Sequence, residues 1–288
     1  LPTQASDDFN TRQYFQTANQ VMITRSNRNF EWNHGHKATD VVYGVLTGYP
    51  CCTSNMHQAW PKFTQNLWYA TPDNGLAAMI YAPSSVKAKV NNGVEVMFKE
   101  KTNYPFDDTI IFQFESEKNV TFPLHLRIPS WCDSATININ GKQFSFDTSN
   151  NIVIINREWE SSDIVELKLP MKVVTTRWHE NSIAVERGPL VYALKIGEDW
   201  KKVFNNKDPE VYGSYYYEVF PKSEWNFGLL YNYETKGLKN FKIIKKDYNK
   251  DEPWNIQNAP IEIKVSAKKI VEWTLYNKTA GPLPYSHP

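Results

Sequence analysis

The sequence predicts a mainly β protein behind a helical opening, and three observations carry that expectation. After Pro72-Asp73-Asn74-Gly75 the apolar residues switch to a period of two, the repeat of a half-buried strand. The runs are short and rich in β-branched and aromatic residues: Leu76 to Tyr81, Val86 to Val90, Val94 to Phe98, Thr109 to Phe114, Val120 to Ile128, Thr136 to Ile139, Ile152 to Ile155 and Ile164 to Leu169. Turn dipeptides such as Asn92-Gly93 and Asn140-Gly141 separate them, which suits two-residue hairpins. Short strands joined by tight turns argue an antiparallel sandwich.

The first ~70 residues read differently. Tyr14 to Met22 places apolar residues near helical spacing, and a second periodic stretch sets Met56, Trp60, Phe63, Leu67 and Ala70 on one side. Pro61 falls inside that stretch. Either the helix kinks there, or its regular part begins at the proline and Thr53 to Ala59 form an irregular first turn. Between the two stretches lies the loop Trp32-Asn33-His34-Gly35-His36-Lys37. A second β region starts near Val173, with expected strands at Ala184 to Leu194, Tyr215 to Val219, Phe241 to Ile244, Ile261 to Val265 and Val271 to Leu275. The expected organisation is therefore 1–72, 73–172 and 173–288.

At 288 residues the chain has room for about two domains. Its 32 Lys plus Arg against 31 Asp plus Glu leave a net charge of +1, which gives no argument for a nucleic-acid partner. No apolar stretch approaches the ~20 residues needed to span a bilayer. The 10 Trp and 16 Tyr offer flat apolar faces with polar tips, suited to sugar rings and equally to β-sandwich cores. The start, Leu1-Pro2-Thr3-Gln4, shows no signal-peptide pattern and no initiator Met, so the chain reads as the mature or excised remainder of something longer. The compartment is not readable, with a secreted or periplasmic location favoured over a cytoplasmic one; Asn119-Val120-Thr121 and Asn277-Lys278-Thr279 would be glycosylation acceptors in a eukaryotic secretory route.

Three cysteines are too few for a disulfide framework, and Cys132 lies far from the other two. Cys51 and Cys52 stand in Gly48-Tyr49-Pro50-Cys51-Cys52-Thr53-Ser54-Asn55, where a loop hands over to a helix. A thiolate at a helix N-terminus is stabilised by the macrodipole and free N–H groups. Two readings fit: a reactive or zinc-bound thiolate pair, or two small buried residues, since free cysteine is often buried. Two ligands alone do not complete a tetrahedral zinc site. His34 and His36 would face one way on an extended segment and with Trp32 could line a sugar pocket; the bland alternative is an ordinary loop. His57 could lie near a metal but reads better as a packed helix residue, Asn55 reads as a helix cap or a loop hydrogen bond, and Arg187-Gly188-Pro189 as a turn with Arg187 bridging neighbouring groups.

Three segments in order carry a resemblance. They are Pro50-Cys51-Cys52-Thr53-Ser54-Asn55; Leu126-Arg127-Ile128-Pro129-Ser130-Trp131-Cys132, followed by Ile137-Asn138-Ile139-Asn140-Gly141 and Arg157-Glu158-Trp159; and Ala184-Val185-Glu186-Arg187-Gly188-Pro189-Leu190-Val191-Tyr192-Ala193-Leu194. Over about the first 195 residues the chain resembles glycoside hydrolase family 127, whose founding activity is a β-L-arabinofuranosidase.

The resemblance implies the closing helices of a catalytic (α/α)6 barrel over 1–72, followed by two antiparallel β-sandwich domains over 73–172 and 173–288. It assigns Cys51 as nucleophile and zinc ligand and Cys52 as a second ligand. The other two ligands would come from a Glu-x-Cys pair in an earlier part of the barrel, and a barrel Glu would act as general acid/base. No Glu-x-Cys occurs in this sequence. The implied activity is retaining hydrolysis of plant-type glycans, with a carbohydrate substrate and the remaining barrel segment of the same protein as partners. The rival reading is a noncatalytic carbohydrate-binding or structural β-sandwich module; a third is a relative that keeps the fold without the zinc.

Overall fold

The computed structural model describes residues 5–6, 8, 10–13, 21–24, 42–45 and 55–275, apart from 148–149, 179–181, 208, 233, 235–236 and 239. Contacts divide the chain into two units, one of Gln58–Val174 with Val185–Val191, the other of Leu1–His57, Thr175–Ala184 and Tyr192–Pro288.

The first short strand is Tyr43–Gly44 (β1). The unit of Gln58–Val174 opens on the α-helix Ala59–Gln65, preceded by a 3-10 turn at Met56–Gln58. The regular helix thus begins two residues before Pro61, close to the second of the two expected arrangements. It ends earlier than the periodic pattern suggests. Leu67 is buried and Ala70 has joined a strand, while Trp60 and Phe63 are 56% and 42% exposed. The reason is pairing: Trp68–Ala70 (β2) lies antiparallel to Leu76–Ala78 (β3), so the backbone after Asn66 satisfies its hydrogen bonds in a sheet.

The strands that follow are Ser84–Val90 (β4), Val94–Thr102 (β5), Thr109–Ser116 (β6), Val120–Arg127 (β7), Thr136–Ile139 (β8), Lys142–Phe144 (β9), Ile152–Trp159 (β10) and Ile164–Lys168 (β11). They form a four-stranded sheet ordered β10-β7-β3-β2 and a six-stranded sheet ordered β4-β5-β6-β11-β8-β9. All eight runs expected between Leu76 and Leu169 contain a strand, and β2 and β9 are additional. One pairing departs from the antiparallel expectation: β3 runs parallel to β7. Its start requires a glycine, because a Cβ on Gly75 would stand 2.1 Å from the Pro123 carbonyl oxygen.

Alternation builds the core. Val96 and Phe98 from β5, Ile110, Phe112 and Phe114 from β6, Phe122, Leu124 and Leu126 from β7, and Val153, Ile155 and Trp159 from β10 all face inward. The rings of Phe98, Phe114, Phe122 and Trp159 meet at centroid distances of 5.1–6.2 Å, and the Trp159 indole N–H donates to the Phe122 carbonyl at 2.9 Å. The one polar atom of the largest core side chain is thereby satisfied.

The remaining strands are Val173–Arg177 (β12), Ile183–Arg187 (β13), Leu190–Tyr192 (β14), Glu198–Phe204 (β15), Tyr215–Pro221 (β16), Phe227–Leu229 (β17), Tyr231–Asn232 (β18), Gly237–Leu238 (β19), Lys242–Lys245 (β20), Ile261–Lys264 (β21) and Ala267–Lys269 (β22), with one helical turn at Pro209–Tyr212. β12, β13 and β14 pair in that order, and a unit boundary falls inside each of them. Beyond them the described residues form a three-stranded sheet, β1-β16-β15, and three two-stranded ones, where two larger layers were expected. The strand expected at Val271 to Leu275 is instead a turn, and the strand lies earlier, at β22. Val271 is 67% exposed, so its β-branched propensity finds no face to pack on.

The fold is mainly β. In 1–72, where closing barrel helices were expected, the described residues hold one α-helix, Ala59–Gln65, with its 3-10 lead-in. The expected helix at Tyr14 to Met22 lies outside the described residues except for its last two positions, where Met22 is buried and the following Ile23 bridges Val219.

Candidate functional site

Cys51, Cys52, Trp32, His34 and His36 lie outside the described residues. The description resumes at Asn55 and His57, both exposed at the head of the 3-10 turn. Among the described residues no three His, Cys, Asp or Glu side chains come together in a way that could hold a metal ion.

Within the sandwich, the most unusual ionisable group is Glu100. On β5 the alternation that turns Val96 and Phe98 inward also turns Glu100 inward, leaving it 3% exposed. Its carboxylate accepts a hydrogen bond from the Ala82 N–H at 2.9 Å and one from the Ser84 hydroxyl at 3.2 Å, and Ser84 Oγ in turn accepts from the Trp68 indole at 3.1 Å. Burial outweighs these donors and pushes the Glu100 carboxyl up to about 8. A raised carboxyl is what a general acid needs, but Glu100 is almost fully buried, and the one hydroxyl bonded to it, that of Ser84, is itself held by the Trp68 indole. Its surroundings make it a structural group. Sequence reading passed over it, although a Glu at an inward register of a strand is a visible signal.

A second pair joins His125 on β7 to Asp73 before β3, with Nε2 and Oδ2 3.0 Å apart. Thr71 donates its hydroxyl to the other Asp73 oxygen, and this bond, ahead of His125, holds the Asp73 carboxyl below its usual range. The hydroxyl is bonded to the carboxylate and not to the imidazole. It is therefore not activated for attack as a Ser-His-Asp arrangement would require, and the trio ties the β2–β3 turn to β7.

Cys132 is free and buried, and burial raises its thiol pKa. Such a thiol is a core residue and a poor nucleophile. Arg187 is also buried; one of its terminal nitrogens donates to the Met171 sulfur at 3.4 Å. Gly188 takes φ +58° in the turn between β13 and β14, and a Cβ there would lie 2.7 Å from the same sulfur. Arg187-Gly188-Pro189 is a packing turn seated on Met171, which gives the expected structural role its contact.

Among the described residues the sandwich thus holds its ionisable groups in structural roles and assembles no nucleophile with an acid or base. The chemistry-bearing positions read from the sequence cluster instead before Asn55.

Residues 75–171 match the family model described as beta-L-arabinofuranosidase, GH127 middle domain. A solved GH127 β-L-arabinofuranosidase from Geobacillus stearothermophilus T6 is similar with a TM-score of 0.55 at 22% identity, covering 81% of this chain and 39% of that one. A structure described as a glycoside hydrolase gives 0.54 at 18%, covering 76% and 43%. A GH127 β-arabinofuranosidase gives 0.52 at 19%, covering 82% and 39%. The search of curated proteins gave no match. The chain is GH127-like, and it spans about two fifths of the length of the solved structures it resembles.

Proposed function

We propose that this chain is the closing part of a glycoside hydrolase, a retaining β-L-arabinofuranosidase-like enzyme acting on arabinose-containing plant-type glycans. One observation carries the reading: the Cys51-Cys52-Thr53-Ser54-Asn55 run comes shortly before a sandwich whose residues 75–171 match the GH127 middle domain. The helix Ala59–Gln65 agrees with it. None of its side chains is buried and it exposes Trp60 and Phe63, as suits a barrel helix whose neighbours belong to a longer protein.

In this reading Cys51 attacks the anomeric carbon as a thiolate. A carbon–sulfur bond forms as the glycosidic carbon–oxygen bond breaks, and the departing oxygen takes a proton from a general acid supplied by the rest of the protein. Water then displaces the sulfur from the opposite face, giving its proton to the conjugate base of that same acid, which returns the thiolate and the acid and retains the configuration. Two adjacent thiols are a soft, half-complete donor set that fits zinc; Cys51 and Cys52 would hold it, and it would supply a permanently deprotonated sulfur at neutral pH.

The test uses a form of the protein that includes the barrel. Cys51→Ser is expected to abolish turnover of an activated arabinofuranoside and to remove a glycosyl adduct seen on Cys51 by mass spectrometry. Cys52→Ser should lower bound zinc and activity together, with partial recovery in excess zinc. Wild-type turnover in Cys51→Ser, or an adduct on another residue, would sink the assignment and promote the noncatalytic module.

A further inference from the structure

The turn after β16 and the turn after β22 meet and form an open, shallow cleft of about 480 Å³. We infer that this cleft, lined by Lys222, Ser223, Glu224, Trp225, Asn226 and Trp273, is a glycan-binding site. The inference does not rest on Cys51 or on the hydrolytic reading.

The cleft is a built feature. Phe227 pairs with Lys269 across β17 and β22. Beyond that pair Asn226 clamps the two turns, its amide donating to the Ile270 carbonyl at 2.9 Å while the Ile270 N–H donates to the Asn226 carbonyl at 2.8 Å. Trp273 follows immediately, its N–H bonded back to Ile270. On the other side the Lys222 N–H donates to the Gly197 carbonyl at 2.6 Å and the Gly197 N–H to the Ser223 hydroxyl at 3.1 Å. The backbone that carries Trp225 and Trp273 is thereby fixed beside one opening, which lowers the ordering cost of binding.

The free valences select the ligand. Among the described residues neither the Trp225 nor the Trp273 indole N–H has a protein acceptor, the Lys222 ammonium has no carboxylate partner, and Asn226 keeps its side-chain oxygen free. Ser223 accepts a bond and still has a proton to donate. Glu224 is neutralised by Lys269. This gives dispersed single donors and acceptors beside two indoles that line the same cleft. A sugar presents the complement, with axial C–H faces for the indoles and hydroxyls that both donate and accept. A phosphate-rich ligand would need clustered cations, and a lipid would need an enclosed apolar cavity; the cleft has neither.

Calorimetric titration of the 288-residue chain with arabinohexaose, xylohexaose and cellohexaose tests this. At least one should bind, Trp225→Ala and Trp273→Ala should each weaken binding about tenfold or more, and Lys222→Ala should weaken it less. Indole N–H resonances of Trp225 and Trp273 in the unsubstituted chain should shift on titration, a readout independent of how the variants fold. No binding to any of the three glycans, or binding with both indole resonances unmoved, overturns the proposal. Loss of hydrolysis in the longer protein with binding intact would sink only the enzymatic reading.

Discussion

At Glu100 two effects oppose each other, and their balance can be measured. Burial disfavours the carboxylate, while the Ala82 N–H and the Ser84 hydroxyl favour it; burial wins and the carboxyl sits near 8, against an ordinary value of 4.5. The folded state then holds a proton that the unfolded chain has released between those two values. Stability is full below about pH 4.5, falls as pH rises toward 8, and is level above it. At about 1.36 kcal/mol per pKa unit the loss is at most roughly 4–5 kcal/mol. Glu100→Gln keeps an oxygen for Ala82 and gains an amide donor for Ser84, so it should raise the urea midpoint above pH 8 and flatten its pH dependence. A variant that unfolds with the same pH slope as the parent would show that Glu100 ionises freely. The inward position of Glu100 was readable from the alternation of β5; its partners were not, because they come from the segment before and at the start of β4.

Among the elements, the β8–β9 hairpin shows what a turn signal does and does not contain. Asn140-Gly141 marks the turn in the sequence, and both residues take positive φ, 51° and 77°, as a type I′ turn demands. The same Asn140 side chain also reaches across to the β10–β11 connection. Its amide donates to the buried Asp163 at 2.6 Å and its oxygen accepts the Ile164 N–H at 2.9 Å. Asp163 in turn accepts the Glu160 N–H and lies 3.4 Å from the Arg157 guanidinium. Asn140→Ala should cost roughly 2–4 kcal/mol, from two lost hydrogen bonds, one of them to a carboxylate, and from backbone strain. Asn140→Gly should cost less, since glycine accepts the backbone angle. Equal losses in chemical denaturation would mean that the side chain alone fixes the corner. The helix at Ala59–Gln65 is the converse case. Its apolar spacing ran on through Leu67 and Ala70, but pairing of β2 with β3 took those residues, because a ladder of backbone bonds and a buried face outweigh local periodicity.

For the whole molecule, legibility followed the density of the core. Between Leu76 and Leu169 the inward residues belong to one buried cluster, so the period of two survives in the sequence. After Val173 buried apolar residues such as Val219, Leu238 and Ile261 are far apart, the paired strands are shorter, and their alternation is diluted by Lys, Glu and Asn. The proposed catalytic cysteines were legible only through a motif and its order along the chain, since no local pattern distinguishes a metal-bound thiolate from a packed one. That order also sets the last expectation. If Cys51 is the nucleophile, the 288-residue chain still carries no Glu-x-Cys pair, and it spans about two fifths of the solved structures it resembles. General acid/base assistance is worth typically 10²–10⁴-fold in rate, and substrate positioning by the remaining barrel walls multiplies that loss. The chain by itself should therefore turn over an activated arabinofuranoside at no more than a background rate. It should meanwhile show its slowest amide exchange in β5, β6, β7 and β10, where the aromatic core lies. Efficient turnover by this chain alone would mean that its own residues complete the site, and it would place the general acid among groups that the sandwich holds in structural roles.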